Sequence, residues 1–228
     1  MTRTVLGRAD GALGGEVVLR SRPDGAGGTV YELVVDGVFA MDSVDTSTER
    51  ALATAALARV PGRRVDVVAG GLGLGYTVRA LLDDPRVGRV EVIELEAPLV
   101  EWLRADAVPG MAGVLRDPRV HVRVGDVRTL LPTLSAASVD AVLLDVDNGP
   151  GFLVHRANAA VYEDTFLRAC LARLRAGGVL AVWSSDPVPA LRARLSDLAG
   201  ECEELPLLVE RDGHRFDYVL YLATRPSA

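Results

Sequence analysis

Between residues 64 and 184, five short apolar runs alternate with stretches of helical character. The runs are Arg64–Ala69, Arg89–Glu94, Val120–Val124, Val139–Asp145 and Val179–Ser184. A strand that is apolar on both faces must be covered on both faces, so this pattern predicts a parallel sheet between helical layers. Helices are expected around Tyr76–Leu82, Pro98–Ala105, Val127–Leu131 and Val188–Leu198, with a long one over Ala159–Leu174 that Gly177-Gly178 stops. Two runs at the end, Leu205–Glu210 and Phe216–Thr224, flank Arg211-Asp212-Gly213-His214 and predict an antiparallel hairpin closing the sheet.

Before residue 46 the pattern is different. Glu16–Arg20, Thr29–Val35 and Val38–Met41 read as strands around the Gly-rich turn Pro23–Gly28 and the turn Asp36-Gly37. Thr46-Ser47-Thr48-Glu49 offers hydroxyl caps for an Ala-rich helix over Glu49–Arg59, stopped by Pro61-Gly62. The expected organisation is a small N-terminal β-hairpin unit, residues 1–45, and an α/β domain, residues 46–228. Asp10–Gly15 and Arg225–Ala228 are expected to be mobile.

Composition excludes several chemistries. All 25 Lys/Arg positions are Arg. Without lysine there is no Schiff base, no lysine nucleophile and no P-loop. The net charge of −6 argues against a general nucleic-acid surface. Cys170 and Cys202 stand outside any CxxC pattern and are expected to be buried thiols. The three histidines have no zinc spacing and no Ser/His/Asp order, so no metal and no acyl-enzyme is expected. Met1–Asp10 lacks an apolar leader core and no run has the length of a membrane span, so a cytoplasmic protein is expected.

The chemistry is expected at the strand ends. Gly70, Gly71, Gly73 and Gly75 make a strand-to-helix turn where backbone can approach a ligand closely, and the helix beyond presents its amides. Glu94 ends the second strand, 19 positions after Gly75, where a carboxylate can accept both hydroxyl protons of a ribose. Asp126 and Asp145 end the third and fourth strands, and in an open parallel sheet these ends face one crevice. The third fingerprint position of a dinucleotide turn holds Tyr76 instead of glycine, which disfavours a pyrophosphate. An adenosyl sulfonium carries no phosphate. The fold class is therefore α/β with a Rossmann-like, methyltransferase-type sheet, mostly parallel with a C-terminal antiparallel hairpin, and the cofactor is of the S-adenosylmethionine type.

Gly70–Thr77, Val92-Ile93-Glu94-Leu95-Glu96, Gly125-Asp126 and Val142-Leu143-Leu144-Asp145 resemble the successive nucleoside motifs of the spermidine synthase-like family. Val161–Phe166 and Leu174–Leu180 are also similar to that family, and the likeness runs from about residue 30 onward. The resemblance implies that the glycine turn faces the methionine-derived part and that Glu94 holds the ribose. It also implies that Asp126 meets the adenine amino group, that Asp145 lies beside the reacting amine, and that the protein is a homodimer formed through its N-terminal strands.

Departures from the family concern the amine half. Where polyamine synthases carry Asp-Ser-Ser-Asp, this chain has Asp145-Val146-Asp147-Asn148, and the Tyr-His pair on the first helix is missing from Ala51–Leu57. Asp145 and Asp147 are the catalytic candidates, with Asp147, Asn148 and Tyr162 for the substrate. Asp147 also reads as an Asx-type turn residue, and Tyr162 equally as packing. His155 is read as a base, a gate or an idle loop residue, His121 as structural, His214 as solvent-facing. Trp183 is read as core ahead of a substrate platform, Trp102 as helix-face packing, and Asp186 is an outside candidate for the acceptor pocket. The leading expectation is methyl transfer to a small-molecule acceptor. The alternatives are aminopropyl transfer from decarboxylated S-adenosylmethionine to a diamine, and a non-catalytic nucleoside-binding dimer.

Overall fold

The computed structural model describes residues 2–211 and 214–226. Its N-terminal unit is a four-stranded antiparallel meander of β1 (Thr4–Asp10), β2 (Glu16–Pro23), β3 (Thr29–Val35) and β4 (Val38–Asp42). Strand β1 is not legible in the sequence because its apolar residues Val5 and Leu6 face solvent and the alternation breaks at Gly7. A side chain at Gly7 would collide with the Trp102 indole, which packs as expected.

Helix α1 (Ser47–Arg59) leads into a seven-stranded sheet of β5 (Val65–Gly70), β6 (Val87–Glu94), β7 (Val120–Val124), β8 (Val139–Leu144), β9 (Leu174–Ser184), β10 (Cys202–Arg211) and β11 (His214–Thr224). Their order is β10-β11-β9-β8-β5-β6-β7. Strands β5 to β9 pair in parallel, while β11 runs antiparallel to β9 and β10 antiparallel to β11. This is the mostly parallel α/β sheet with a closing hairpin that the sequence predicts. The hairpin's turn residues 212 and 213, and the side chain of His214, lie outside the described residues.

Alternate residues of the central strands feed two cores. Val67, Ala69, Val92, Ala141 and Leu143 pack against α1 and against α2 (Tyr76–Leu82), α3 (Ala97–Arg104) and α4 (Met111–Arg116). Val68, Ile93, Val142 and Leu144 pack against α5 (Val127–Leu130), α6 (Asp164–Arg173) and α7 (Pro189–Ala199). Burial on both faces explains why these strands lack polar alternation. Cys170 and Cys202 are buried, unpaired thiols in the second core.

Four local expectations need correction. The predicted helix over Ala159–Leu174 is a 3-10 helix, Arg156–Tyr162, then extended Glu163, then α6. Strand β9 begins at Leu174 and passes through Gly177-Gly178, whose backbone hydrogen-bonds to Arg225, so Arg225 is held in place. At α1, Thr46 makes no side-chain cap; Asp45 accepts the Ser47 amide at 2.8 Å instead. Residues 11–15 form a closed turn, with the Gly11 amide donating to the Gly15 carbonyl at 3.1 Å, rather than a mobile end.

Glu32 on β3 is buried under three arginines, with Nε of Arg3, Arg20 and Arg22 at 3.1, 2.6 and 2.6 Å. Burial alone would raise its carboxyl, but hydrogen bonds from Arg22, Arg20 and Arg3 outweigh it and bring it down to about 2. A lowered folded pKa gives stability that is present above the usual glutamate value and lost as pH falls toward 2. Glu32→Gln is expected to cost about 1–3 kcal/mol at neutral pH, discounted for the partly exposed arginines. Urea unfolding of the two proteins at pH 7 and pH 3 measures the cost, which should shrink at the lower pH.

Candidate active site

The sheet order reverses on either side of β5, and the carboxyl ends of β5, β6, β7 and β8 open there into one cleft. The cavity has a volume of about 200 Å³. Gly71 and Gly73 line it, as do Glu94, Asp126, Asp145, Asp147 and Asn148. Gly70 and Gly75 do not, and their roles are in the turn: Gly75 is the left-handed residue before α2, with φ 90°. A side chain at Gly71 (φ 92°) would collide with the Asp145 carbonyl oxygen, and one at Gly73 with the Met41 sulfur. The room these glycines leave is thus filled first by the protein's own backbone and by β4.

Glu94 is 6% exposed. One carboxylate oxygen accepts the Leu72 amide at 2.7 Å and the other the Glu96 amide at 2.8 Å, which ties the glycine turn to the end of β6. Burial raises its pKa against the pull of those two amides. Each oxygen keeps acceptor capacity for a ligand hydroxyl. Asp126 caps α5 through the Arg128 amide and is clamped by the Arg128 guanidinium at 2.6 Å, which holds its carboxyl below the usual range. Arg128 also donates to the Ala157 carbonyl at 2.9 Å, so Asp126 is fixed against the loop beyond β8.

Asp145 follows β8 and accepts a hydrogen bond from the Thr77 hydroxyl at 3.2 Å. Burial pushes its carboxyl up to about 7, helped by the negative charge of Glu49. The group is half-buried and retains contact with the cleft. Asp147 points its oxygens into its own loop, accepting the Asn148 and Val154 amides at 2.7 and 2.8 Å and the Asn158 side chain at 2.7 Å. It organises the loop, the turn-forming reading of the sequence. Tyr162 is 3% exposed in the second core and does not line the cleft, so the packing reading holds for it. Burial raises its phenol against the opposing pull of a hydrogen bond with the Gly149 backbone.

Several cleft residues escape sequence reasoning. Glu49 reads as a helix-capping acid, yet it lines the cleft beside Asp145. Glu96 accepts the Ala12 amide at 3.0 Å, and His155 Nε2 lies 3.2 Å from the Leu13 carbonyl, so the β1–β2 turn is strapped across the cleft from two sides. Because His155 Nδ1 accepts the Ala157 amide, the ring proton sits on Nε2 and donates to Leu13. The turn's glycines gave no hint of these long-range partners. Trp183 meets both of its readings: half-buried, it packs against the first core and also lines the cleft. His121 is exposed on edge strand β7, not structural. Among the described residues no group of side chains has the makings of a metal site. No helix among them is long and apolar enough to cross a membrane. His155→Ala is expected to speed hydrogen exchange at Ala12 and Gly14 by about fivefold, since one hydrogen bond is worth about 1 kcal/mol; amide exchange read by mass spectrometry checks it.

No family model matches the chain. A polyamine aminopropyltransferase 2 from Pseudomonas aeruginosa is 32% identical over 156 residues, 66% of this chain and 42% of that protein. Spermidine synthase from Thermotoga maritima superposes with a TM-score of 0.79 over 99% of this chain and 74% of that one, at 16% identity. The chain is spermidine synthase-like in sequence and fold. Spermidine synthase 1 of Hyoscyamus niger is 28% identical over 65% of this chain, and a putrescine N-methyltransferase 4 of Nicotiana tabacum 27% identical over 54%. This spermidine synthase-like chain spans less than half the length of these three curated relatives.

Proposed function

We propose that the cleft binds a decarboxylated S-adenosylmethionine-type nucleoside and transfers its aminopropyl group to an amine. One observation carries the choice over methyl transfer. Seven carboxyl side chains line the cleft, and among the described residues no arginine does, in a chain whose 25 Lys/Arg positions are all Arg. The methionine end of S-adenosylmethionine brings a carboxylate, which would lie among like charges with no cationic partner. The decarboxylated form ends in a bare ammonium, which such a cleft attracts. The relatives named for aminopropyl transfer support the same reading.

In this reading Glu94 accepts the ribose hydroxyls, Asp126 faces the adenine edge, and the turn at Gly71 and Gly73 lies along the sulfonium. A neutral amine nitrogen attacks the methylene carbon bonded to sulfur. A C–N bond forms as the C–S bond breaks, its electron pair returns to sulfur, and neutral methylthioadenosine leaves. The acceptor's ammonium must lose a proton before it can attack, and the Asp145 carboxylate, with its pKa pushed up to about 7, accepts that proton and then faces the ammonium that forms. Thr77 orients that carboxyl, while Asp147 positions the loop that covers it.

Incubation with putrescine and each cofactor form, followed by chromatography, separates the readings. Methylthioadenosine from the decarboxylated form is the expected product. S-adenosylhomocysteine from the carboxylated form, with no methylthioadenosine, would overturn the proposal in favour of methyl transfer.

A further inference from the structure

Beside the cleft lies a second cavity of about 350 Å³ that does not include Asp145 or the glycine turn. The two cavities meet at Ala40, Met41, Glu49, Asn148 and Trp183. The second is built from β4, the start of α1, the loop after β8 and the C-terminal hairpin, and of these the hairpin has no part in the nucleoside-binding reading.

Its walls are chemically distinctive. Three of the four phenylalanines converge on it, Phe39, Phe152 and Phe216, and they are 42%, 56% and 39% exposed. Trp183 and Tyr218 continue the wall, with ring centroids 5.2 Å apart, and Phe216 stacks on Tyr218 at 6.0 Å. Between these faces stand Asp45, Glu49 and Asp186, and among the described residues no arginine lines the chamber; Asp42 is also at the wall but is 4% exposed and lies 3.9 Å from the Arg22 guanidinium. Asp45 accepts the Ser47 amide and Asp186 the Ser185 hydroxyl, partners that leave the carboxylate charge in place. Exposed aromatic faces interleaved with carboxylates attract an alkylammonium, through ring quadrupole and charge together. Aromatic rings left at a surface are otherwise a cost in solubility.

We propose that this chamber holds the distal end of the acceptor, so that the preferred acceptor is a triamine or longer linear polyamine rather than a four-carbon diamine. The inference rests on the aminopropyl-transfer reading for the near end only. With its nucleophilic nitrogen at Asp145, the acceptor passes Glu49 and Asn148 and seats a further ammonium among Phe152, Phe216 and Asp186. Glu49 faces both cavities and holds the charge midway.

The test is calorimetry with putrescine and with spermidine, on protein with and without saturating methylthioadenosine. Spermidine should bind about tenfold tighter or better, the range that a desolvated cation–aromatic contact supplies. The variant Phe152→Ala/Phe216→Ala, both sites exposed, should lose that preference while putrescine affinity and the thermal midpoint hold. Equal affinities for the two amines overturn the inference. So does a preference that survives in the double variant, or a variant that only changes the oligomeric state in sedimentation, which would make the aromatic rim a contact between copies. If methylthioadenosine does not bind, the aminopropyl-transfer reading falls instead, and the nucleoside-free titrations still decide the chamber.

Discussion

Asp145→Asn is expected to lower the aminopropyl-transfer rate by about 10²–10⁴-fold, the range for losing a positioned proton acceptor, while raising thermal stability at pH 8. The two effects share a cause. Burial and the Glu49 charge hold Asp145 up to about 7, above the usual aspartate value of 3.8. A raised carboxyl destabilises the fold progressively as pH climbs from about 4 through 7, because the native state retains a proton that the unfolded chain releases. Asparagine removes that cost, and with the side chain half-buried the gain is about 1–3 kcal/mol at pH 8 and near zero at pH 4. Differential scanning at the two pH values, beside the transfer assay, checks both halves. A variant that is inactive and also destabilised at pH 8 would place Asp145 in the architecture of the β5–β8 junction rather than in the chemistry. For the unmodified protein, kcat/KM should rise with pH through an acid limb near 7, and that limb should vanish in the variant.

Glu94→Ala is expected to weaken methylthioadenosine and both cofactor forms alike, by about 100-fold or more, since hydrogen bonds to a charged acceptor are worth about 1.5–3 kcal/mol each. The substitution also strands the Leu72 and Glu96 amides that the carboxylate now satisfies. A companion Glu94→Gln keeps an acceptor oxygen and one of those bonds, so its affinity should fall between. Unchanged affinity in both variants would mean that the ribose lies elsewhere.

The strands that carry the site were legible because their chemistry is local. Val67–Gly70, Val90–Glu94 and Val139–Leu144 each send apolar side chains into both cores, and few arrangements other than a parallel sheet bury such runs. Glu94, Asp126 and Asp145 follow from strand ends, and the sheet delivers all three to one cleft. What stayed hidden depends on distant partners. Glu49 is an ordinary first-turn acid until α1 is laid across β8. The turn at 11–15 looks mobile because its anchors, Glu96 and His155, are 84 and 142 positions away from Ala12 and Leu13. Gly71 announces a close approach, but the sequence cannot say that the approaching atom is the Asp145 carbonyl. The break at Glu163 is hidden for another reason: Ala159, Ala160 and Val161 suit a regular helix as well as the 3-10 turn they adopt.

An anionic cleft lined by seven carboxyl side chains has no place for a ligand carboxylate. Isothermal titration of the protein with S-adenosylmethionine and with its decarboxylated form, in the same low-salt buffer at pH 8, addresses that directly. The decarboxylated form should bind at least about tenfold tighter, because one ligand charge changes from repelled to absent. Equal affinity, or tighter binding of the carboxylated form, would contradict it.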